Sequence, residues 1–370
     1  MPQRPPIRPP AISGFTWLRP LGSGGFAEVF LYEQDMPRRP VAVKVFPPVG
    51  LGDSERVAFE TEADITARLS HHPSMLTVFQ ASISSDGHPY LALEYCPDSM
   101  GVRAKAGRIP VDTVLDTGVR LAGALETAHR SGLLHRDIKP ANVLVNALGR
   151  PVLSDFGIAT GPGITDRADG IAMSVPWAAP ELVAKQHGGT VASEIWSLAA
   201  TLFHFAAGRS PFELPDRADN SREKLESRIS RARYPGLPEE TAPAGLDAVL
   251  EKAMRLRPEE RYASMREFGE ALRAVQLSEG EEATTLEVGN PEWADLGASA
   301  APAGTRGPVI SRVRSASRSA KRKAEHSAEE PWATPPAAPR RLTPLPAALL
   351  GAGAAAVVIL GSWALWGGVT

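Results

Sequence analysis

The chain has 370 residues, 43% of them hydrophobic and 22% charged, which excludes a wholly disordered or fibrous polymer. A net charge of -2 gives no pull toward nucleic acid as the main partner. The one cysteine, Cys96, excludes both an intrachain disulfide framework and a cysteine metal cage.

Residues 1–11 are proline-rich and lack an apolar run, so they predict a disordered leader and not a signal peptide. Folded structure is expected over about 12–275. Strands are expected over 26–32, 40–46 and 90–95, and a helix over 54–69. In that helix Val57, Ala58, Ala63, Ile65 and Leu69 can form one apolar stripe. From Val111 the period turns helical, with Val114, Gly118, Leu121, Ala122, Leu125 and Ala128 on one face. Further helices are expected over 193–207, 244–255 and 264–275. A small sheet lobe and a larger helical lobe follow, with a cleft between them suited to a ligand.

The motifs fall in the same order. Gly22, Ser23, Gly24 and Gly25, followed by Phe26, Ala27, Glu28 and Val29, sit between strand-like runs. Glycines there would let backbone N–H groups approach phosphates, although an ordinary hairpin turn explains the same residues. Lys44 lies inside an apolar strand, where an ammonium needs a partner; Glu62 on the following helix is the natural one. His135, Arg136, Asp137, Ile138, Lys139, Pro140, Ala141 and Asn142 follow the long helix. Asp155, Phe156 and Gly157 come next, and Ala179, Pro180 and Glu181 close the segment. Phosphoryl transfer needs the donor charge neutralised and the acceptor held. Asp155 and Asn142 offer oxygen to a hard cation such as Mg²⁺. Asp137 can take a hydroxyl proton, and Lys139 can steady the transferred group.

From about 276 to 345 the chain is rich in Ala, Pro, Ser and charge, and a disordered juxtamembrane linker is expected. Residues 279–295 carry acids only and 306–323 bases only; the basic block could touch anionic lipid or be solvated. Residues 346–366 carry no charge, and 21 helical residues span roughly 30 Å, the thickness of a bilayer core. Arg340 and Arg341 precede this segment, and Trp363 and Trp366 lie near its far end. A transmembrane helix is therefore expected, with 367–370 as a short extracytoplasmic tail that leaves no room for a sensor domain. A buried alanine-rich helix is the competing reading. Gly351 and Ala355 have the small-xxx-small spacing that permits a homodimer contact.

In order and spacing the motifs resemble the eukaryotic-type Ser/Thr protein kinases, in particular membrane-anchored bacterial kinases like those of actinobacteria, over about residues 12–275. The resemblance implies an α+β, two-lobed protein kinase fold, with the small lobe over about 12–95 and the large lobe over 97–275. It implies ATP and Mg²⁺ as cofactors, with Mn²⁺ able to substitute. Lys44 would pair with the α/β-phosphates and Glu62. Asp137 would be the base, Lys139 would assist, and Asn142 and Asp155 would bind metal. The nucleotide would lie among Leu21, Gly22, Ser23, Gly24, Gly25, Phe26, Ala27, Val29, Ala42, the gatekeeper Leu93, hinge residues Glu94 and Cys96, and Leu144. Ser174 falls where the family keeps a hydroxyl facing the catalytic Asp. Glu181 would pair with Arg261. Arg136 beside the base implies control by activation-segment phosphate, with Thr165 the first candidate.

Two residues depart from the family pattern. Ala27 replaces the third glycine of the loop. Glu194 stands where the family has an Asp that accepts catalytic-loop N–H groups, and whether the longer side chain keeps that brace is left open. The resemblance implies a non-specific, ATP-dependent protein Ser/Thr kinase that phosphorylates proteins and itself, sits at the cell membrane with its kinase domain in the cytoplasm, and has no nucleic-acid partner. A pseudokinase scaffold without turnover is the alternative.

Overall fold

The computed structural model describes residues 8–23, 27–47, 59–60, 63–64, 66–156, 174–186, 188–238 and 243–290. All of them lie in one compact unit, Met1–Val313. Gly24, Gly25, Phe26, Glu62, Gly157, Thr165 and the side chain of Ser23 are outside this description, as is the expected membrane span at 346–366. Among the described residues no helix is long and apolar enough to cross a membrane.

The small lobe is a five-stranded antiparallel sheet in the order β1-β2-β3-β5-β4. Its strands are β1 (Phe15–Ser23), β2 (Glu28–Gln34), β3 (Arg39–Val45), β4 (Val78–Ile83) and β5 (Pro89–Glu94). β3 and β5 read as near-continuous apolar runs because they are the inner strands. Val41, Val43, Val45, Tyr90 and Ala92 pack on one side with Phe30 and Tyr32 of β2. Ala42, Leu91 and Leu93 face the other side. Lys44 is on that second side, paired in register with Val29 and Leu91. Strand alternation thus aims the lysine at the cleft.

The large lobe begins with α1 (Met100–Ala106) and α2 (Val111–Arg130). Strand β6 (Asp98–Ser99), just before α1, joins β7 (Val143–Val145) and β8 (Pro151–Leu153) in a small sheet of order β6-β7-β8. The remaining helices are α3 (Pro180–Val183), α4 (Val191–Ala207), α5 (Arg222–Ile229), α6 (Ala244–Ala253) and α7 (Met265–Ser278). α4 is apolar around nearly its whole circumference, and 13 of its 17 residues are buried, so it forms the centre of the lobe. Its start is fixed by a reciprocal cap, Ser193 N–H to Thr190 Oγ1 at 3.2 Å and Thr190 N–H to Ser193 Oγ at 2.8 Å. Gly208, at φ +76°, ends it.

The sequence places the end of the folded region at 275. In the structure α7 continues to Ser278, and residues 281–290, assigned above to the disordered linker, pack against α2 and α7. The linker expected from 276 therefore loses its first part to the folded lobe.

Candidate active site

The catalytic loop leaves the end of α2 and enters β7. Arg136 has φ +66° and Asp155 has φ +58°, both in the left-handed region that side chains avoid. Backbone strain at two charged positions persists only where surrounding bonds over-determine it. For Arg136 that bond comes from α4. Glu194 Oε1 accepts the Arg136 N–H at 2.7 Å, and Glu194 Oε2 is 2.6 Å from His129 Nε2. The Glu194 and His129 side chains are 4% and 6% exposed, so water does not replace these bonds. The brace left open by the sequence is kept, with His129 as its second anchor. Nothing in the spacing of the motifs pointed to His129.

His135 is fully buried. Its Nε2–H donates to the Ser154 carbonyl at 2.9 Å, and its Nδ1 accepts the Asp137 N–H at 3.3 Å. Desolvation holds the imidazole below its ordinary pKa, against the pull of Glu194, which suits this neutral tautomer. Its ring lies 4.5 Å from that of Phe156. The loop and the Asp155 segment are thereby joined through a ring contact and a hydrogen bond.

Asp137 is ringed by donors. Ser174 Oγ–H donates to its Oδ1 at 2.9 Å, and Lys139 Nζ reaches its Oδ2 at 2.6 Å and Ser174 Oγ at 3.1 Å. Asn142 Nδ2 donates to the Asp137 carbonyl at 2.8 Å and to Oδ2 at 3.1 Å. With its amide nitrogen committed, Asn142 has Oδ1 to offer a cation. Asp155 Oδ1 accepts from Lys44 Nζ at 3.0 Å, and Oδ2 accepts from Ser154 Oγ at 3.2 Å. Desolvation opposes ionisation of Asp155, but Lys44 and Ser154 outweigh it and hold the carboxyl below its usual range. One carboxylate, one amide oxygen and phosphate oxygens make the donor set Mg²⁺ prefers, so the residues fit that ion. Lys44 meets Asp155 across the cleft; the expected partner, Glu62, lies outside the described residues.

The expected adenine-lining residues converge. Ala42 and Leu93 form one apolar cluster with Leu91 and Val152, which were not among the expected residues, and Leu21, Val29, Cys96 and Leu144 pack against it. They come from β1, β2, β3, β5, the chain after β5, β7 and β8, so the roof and floor of an apolar slot are both supplied. Ala27 is buried beside β2, and Gly22 has open space around it. The hinge is pinned by Glu94 N–H to the Thr77 carbonyl at 2.9 Å and by Thr77 Oγ1 to Glu94 Oε2 at 3.2 Å. Burial, then the nearby Glu94 charge, pushes the Cys96 thiol up to about 12, so it lines the slot as an inert apolar group.

Below the site, Glu181 and Arg261 form a bidentate pair, Nη1–Oε1 at 2.7 Å and Nη2–Oε2 at 2.8 Å. Both side chains are buried, and the guanidinium also bonds the carbonyls of Arg255, Leu256 and Ala192. A planar fork satisfied on all sides is the form in which a buried pair is tolerated. It ties the end of the activation segment to the start of α4 and the turn before α7.

This geometry is that of a protein kinase, and comparison agrees. The protein kinase domain family model matches residues 15–271, so the chain belongs to the protein kinase domain family. It is 37% identical over 272 residues to the serine/threonine-protein kinase PknK of Mycobacterium bovis, covering 72% of this chain and 24% of that protein. It is 33% identical over 269 residues to PknI of the same species, covering 70% and 41%. With PknF of Mycobacterium tuberculosis the identity is 34% over 276 residues, covering 70% and 56%. The chain thus spans between a quarter and rather more than half of the length of these relatives, and the shared part is the kinase domain.

Proposed function

We propose that the protein is an ATP- and Mg²⁺-dependent protein Ser/Thr kinase. The observation that carries this reading is the Ser174 hydroxyl donating to Asp137 Oδ1, with Lys139 Nζ bridging the two. An aliphatic hydroxyl fits beside the base, so the loop can receive the acceptor's proton at Asp137. Lys139 stands where it can meet charge on the group in transit. Lys44 is aimed from β3 to where it would meet the α/β-phosphates, and the apolar slot would take the adenine ring. Asn142 and Asp155 would hold Mg²⁺, which when bound neutralises phosphate charge. Incubating the protein with labelled ATP, Mg²⁺ and a serine peptide tests the reading. Asp137→Asn should abolish most transfer yet keep nucleotide binding. Turnover that survives Asp137→Asn would remove Asp137 from the role of base, and absence of turnover in the parent protein with binding intact would favour the scaffold reading.

The second part of the proposal is attachment to the cell membrane as a single-pass protein. It is supported by the uncharged run at 346–366, the arginines before it and the tryptophans near its far end. Deleting 346–370 should move the protein to the soluble fraction and leave peptide kinase activity unchanged. If attachment survives that deletion but is lost in high salt, the basic block at 306–323 is the anchor. The Gly351 and Ala355 spacing supports a second copy as a partner within the bilayer.

A further inference from the structure

Past α7 the chain reverses at Gly280, at φ +78°, and runs back along α2. Five hydrogen bonds through Thr284, Glu287 and Gly289 fasten it. Thr284 N–H donates to Gln276 Oε1 at 2.9 Å, and its hydroxyl donates to Asp116 Oδ1 at 2.9 Å. Gly289 N–H donates to Thr127 Oγ1 at 2.9 Å. Arg150 Nη2 meets the Glu287 carboxylate at 2.6 Å. His72 Nε2 lies 3.0 Å from the Glu287 carbonyl.

The groove is shaped for this segment. A methyl built on Gly123 of α2 would lie 2.1 Å from the Glu287 carbonyl oxygen, and one on Gly269 of α7 would lie 2.8 Å from Leu286 Cδ1. Glycine inside a helix costs about 1 kcal/mol relative to alanine, so these positions give up helix stability that close approach of the segment accounts for. Sequence alone shows two glycines on helix faces and no reason for them.

The contact with His72 reaches the small lobe. His72 Nδ1 accepts the Ser74 N–H at 3.1 Å, which leaves Nε2–H to donate to Glu287. His72 lies in the turn between the helical residues 66–69 and β4. The turn is bonded to β8 by Leu153 N–H to the Ser74 carbonyl and Leu76 N–H to the Leu153 carbonyl, both 3.0 Å. Leu153 is two residues before Asp155. Arg150, the other partner of Glu287, is at the turn that begins β8.

We propose that residues 281–290 are a strap that sets the position of the His72 turn and of β8, making Glu287 a positioning residue for the metal-side Asp155. The proposal rests on the kinase reading for its effect on turnover but not for its effect on the turn. A seated strap holds the entry to β4 on the large lobe from behind, and release frees both the turn and the strand that carries Asp155.

The test uses four full-length variants. Gly123→Ala blocks seating by the added methyl while giving α2 a better helix former. Leu286→Ser removes the apolar anchor from the other partner. The third combines the two, and Leu286→Met is the conservative control. Hydrogen exchange is read at 70–76 and at 281–290, together with kcat and KM for Mg·ATP on a serine peptide. Each disruptive variant should speed exchange at both segments and raise KM for Mg·ATP about fivefold, the equilibrium value of one lost hydrogen bond. The double variant should add nothing further, because the strap is released once. Leu286→Met should behave as the parent protein. Fast exchange at 281–290 with unchanged exchange at 70–76 overturns the proposal, as does an additive double variant. If the parent protein shows no turnover, the kinase reading fails, and the exchange data still decide the strap.

Discussion

Replacing Glu194 with alanine removes the acceptor from two donors that meet its buried carboxylate, the Arg136 N–H at 2.7 Å and His129 Nε2 at 2.6 Å. A buried donor left unpaired costs about 1–3 kcal/mol, so the two together cost about 2–6 kcal/mol. Part of this is offset if Arg136 relaxes from φ +66°, a conformation worth about 1–2 kcal/mol of strain. For a folded unit of this size each kcal/mol lowers Tm by about 2–4 °C. Activity should fall further than stability, because Arg136 is bonded directly to Asp137 in the chain and its relaxation turns the base away from the acceptor. The effect should appear in kcat more than in KM, since the apolar slot is untouched.

Two companion variants separate the contributions. Glu194→Gln keeps an oxygen for Arg136 but points an amide at His129, whose buried Nδ1 has no partner among the described residues; it should cost about half as much. Glu194→Asp keeps both acceptors but draws them back by one methylene, so it should fall between the parent and Glu194→Gln. Thermal melts and single-turnover rates on the four proteins decide the matter. An alanine variant with the parent's Tm and kcat would refute the brace.

Asp155→Ala should weaken Mg·ATP binding and leave metal-free nucleotide binding nearly unchanged, as read by titration with and without Mg²⁺. It also removes the partner that Lys44 has at 3.0 Å, so Lys44→Ala in the same background should cost less than alone. Cys96 should resist iodoacetamide: raising the thiol from 9.0 to about 12 cuts the thiolate fraction on the order of a thousandfold below pH 9. The sign for stability follows from the thiol being neutral when protonated. Its folded value lies above its unfolded one, so the contribution is whole below pH 9 and is lost as pH rises from there toward 12. Alkylation of the native protein at pH 8 as fast as that of the denatured protein would contradict a buried thiol.

Much of this site was legible because its chemistry sits in short runs of the chain. Asp137, Lys139 and Asn142 lie within six residues on one loop, so spacing alone brings them together. The inner strands were legible as apolar runs, and α4 as a helical run over 193–207. β1 was not, because Pro20 and Gly22 interrupt it. The structure tolerates them there because β1 is an edge strand whose register slips between those two residues. α5 was missed for the opposite reason. Of its eight residues only Leu225 and Ile229 are buried, too few for a visible stripe.

The partner of the brace and the strap were illegible for a third reason, and it separates two kinds of residue. His129 is 65 positions from Glu194, and Glu287 is 215 from His72 and 137 from Arg150. Neither pairing has a local signature, since each joins one polar group to another that only the folded lobe brings near. Composition misled as well: the acids at 279–295 read as a solvated run, yet Glu287 within it is half-buried between Arg150 and the His72 turn. One residue in such a run can be structural if the fold places a cation and a groove opposite it. Here the groove could be inferred only from the two helix glycines, Gly123 and Gly269, whose missing side chains are explained by what lies against them.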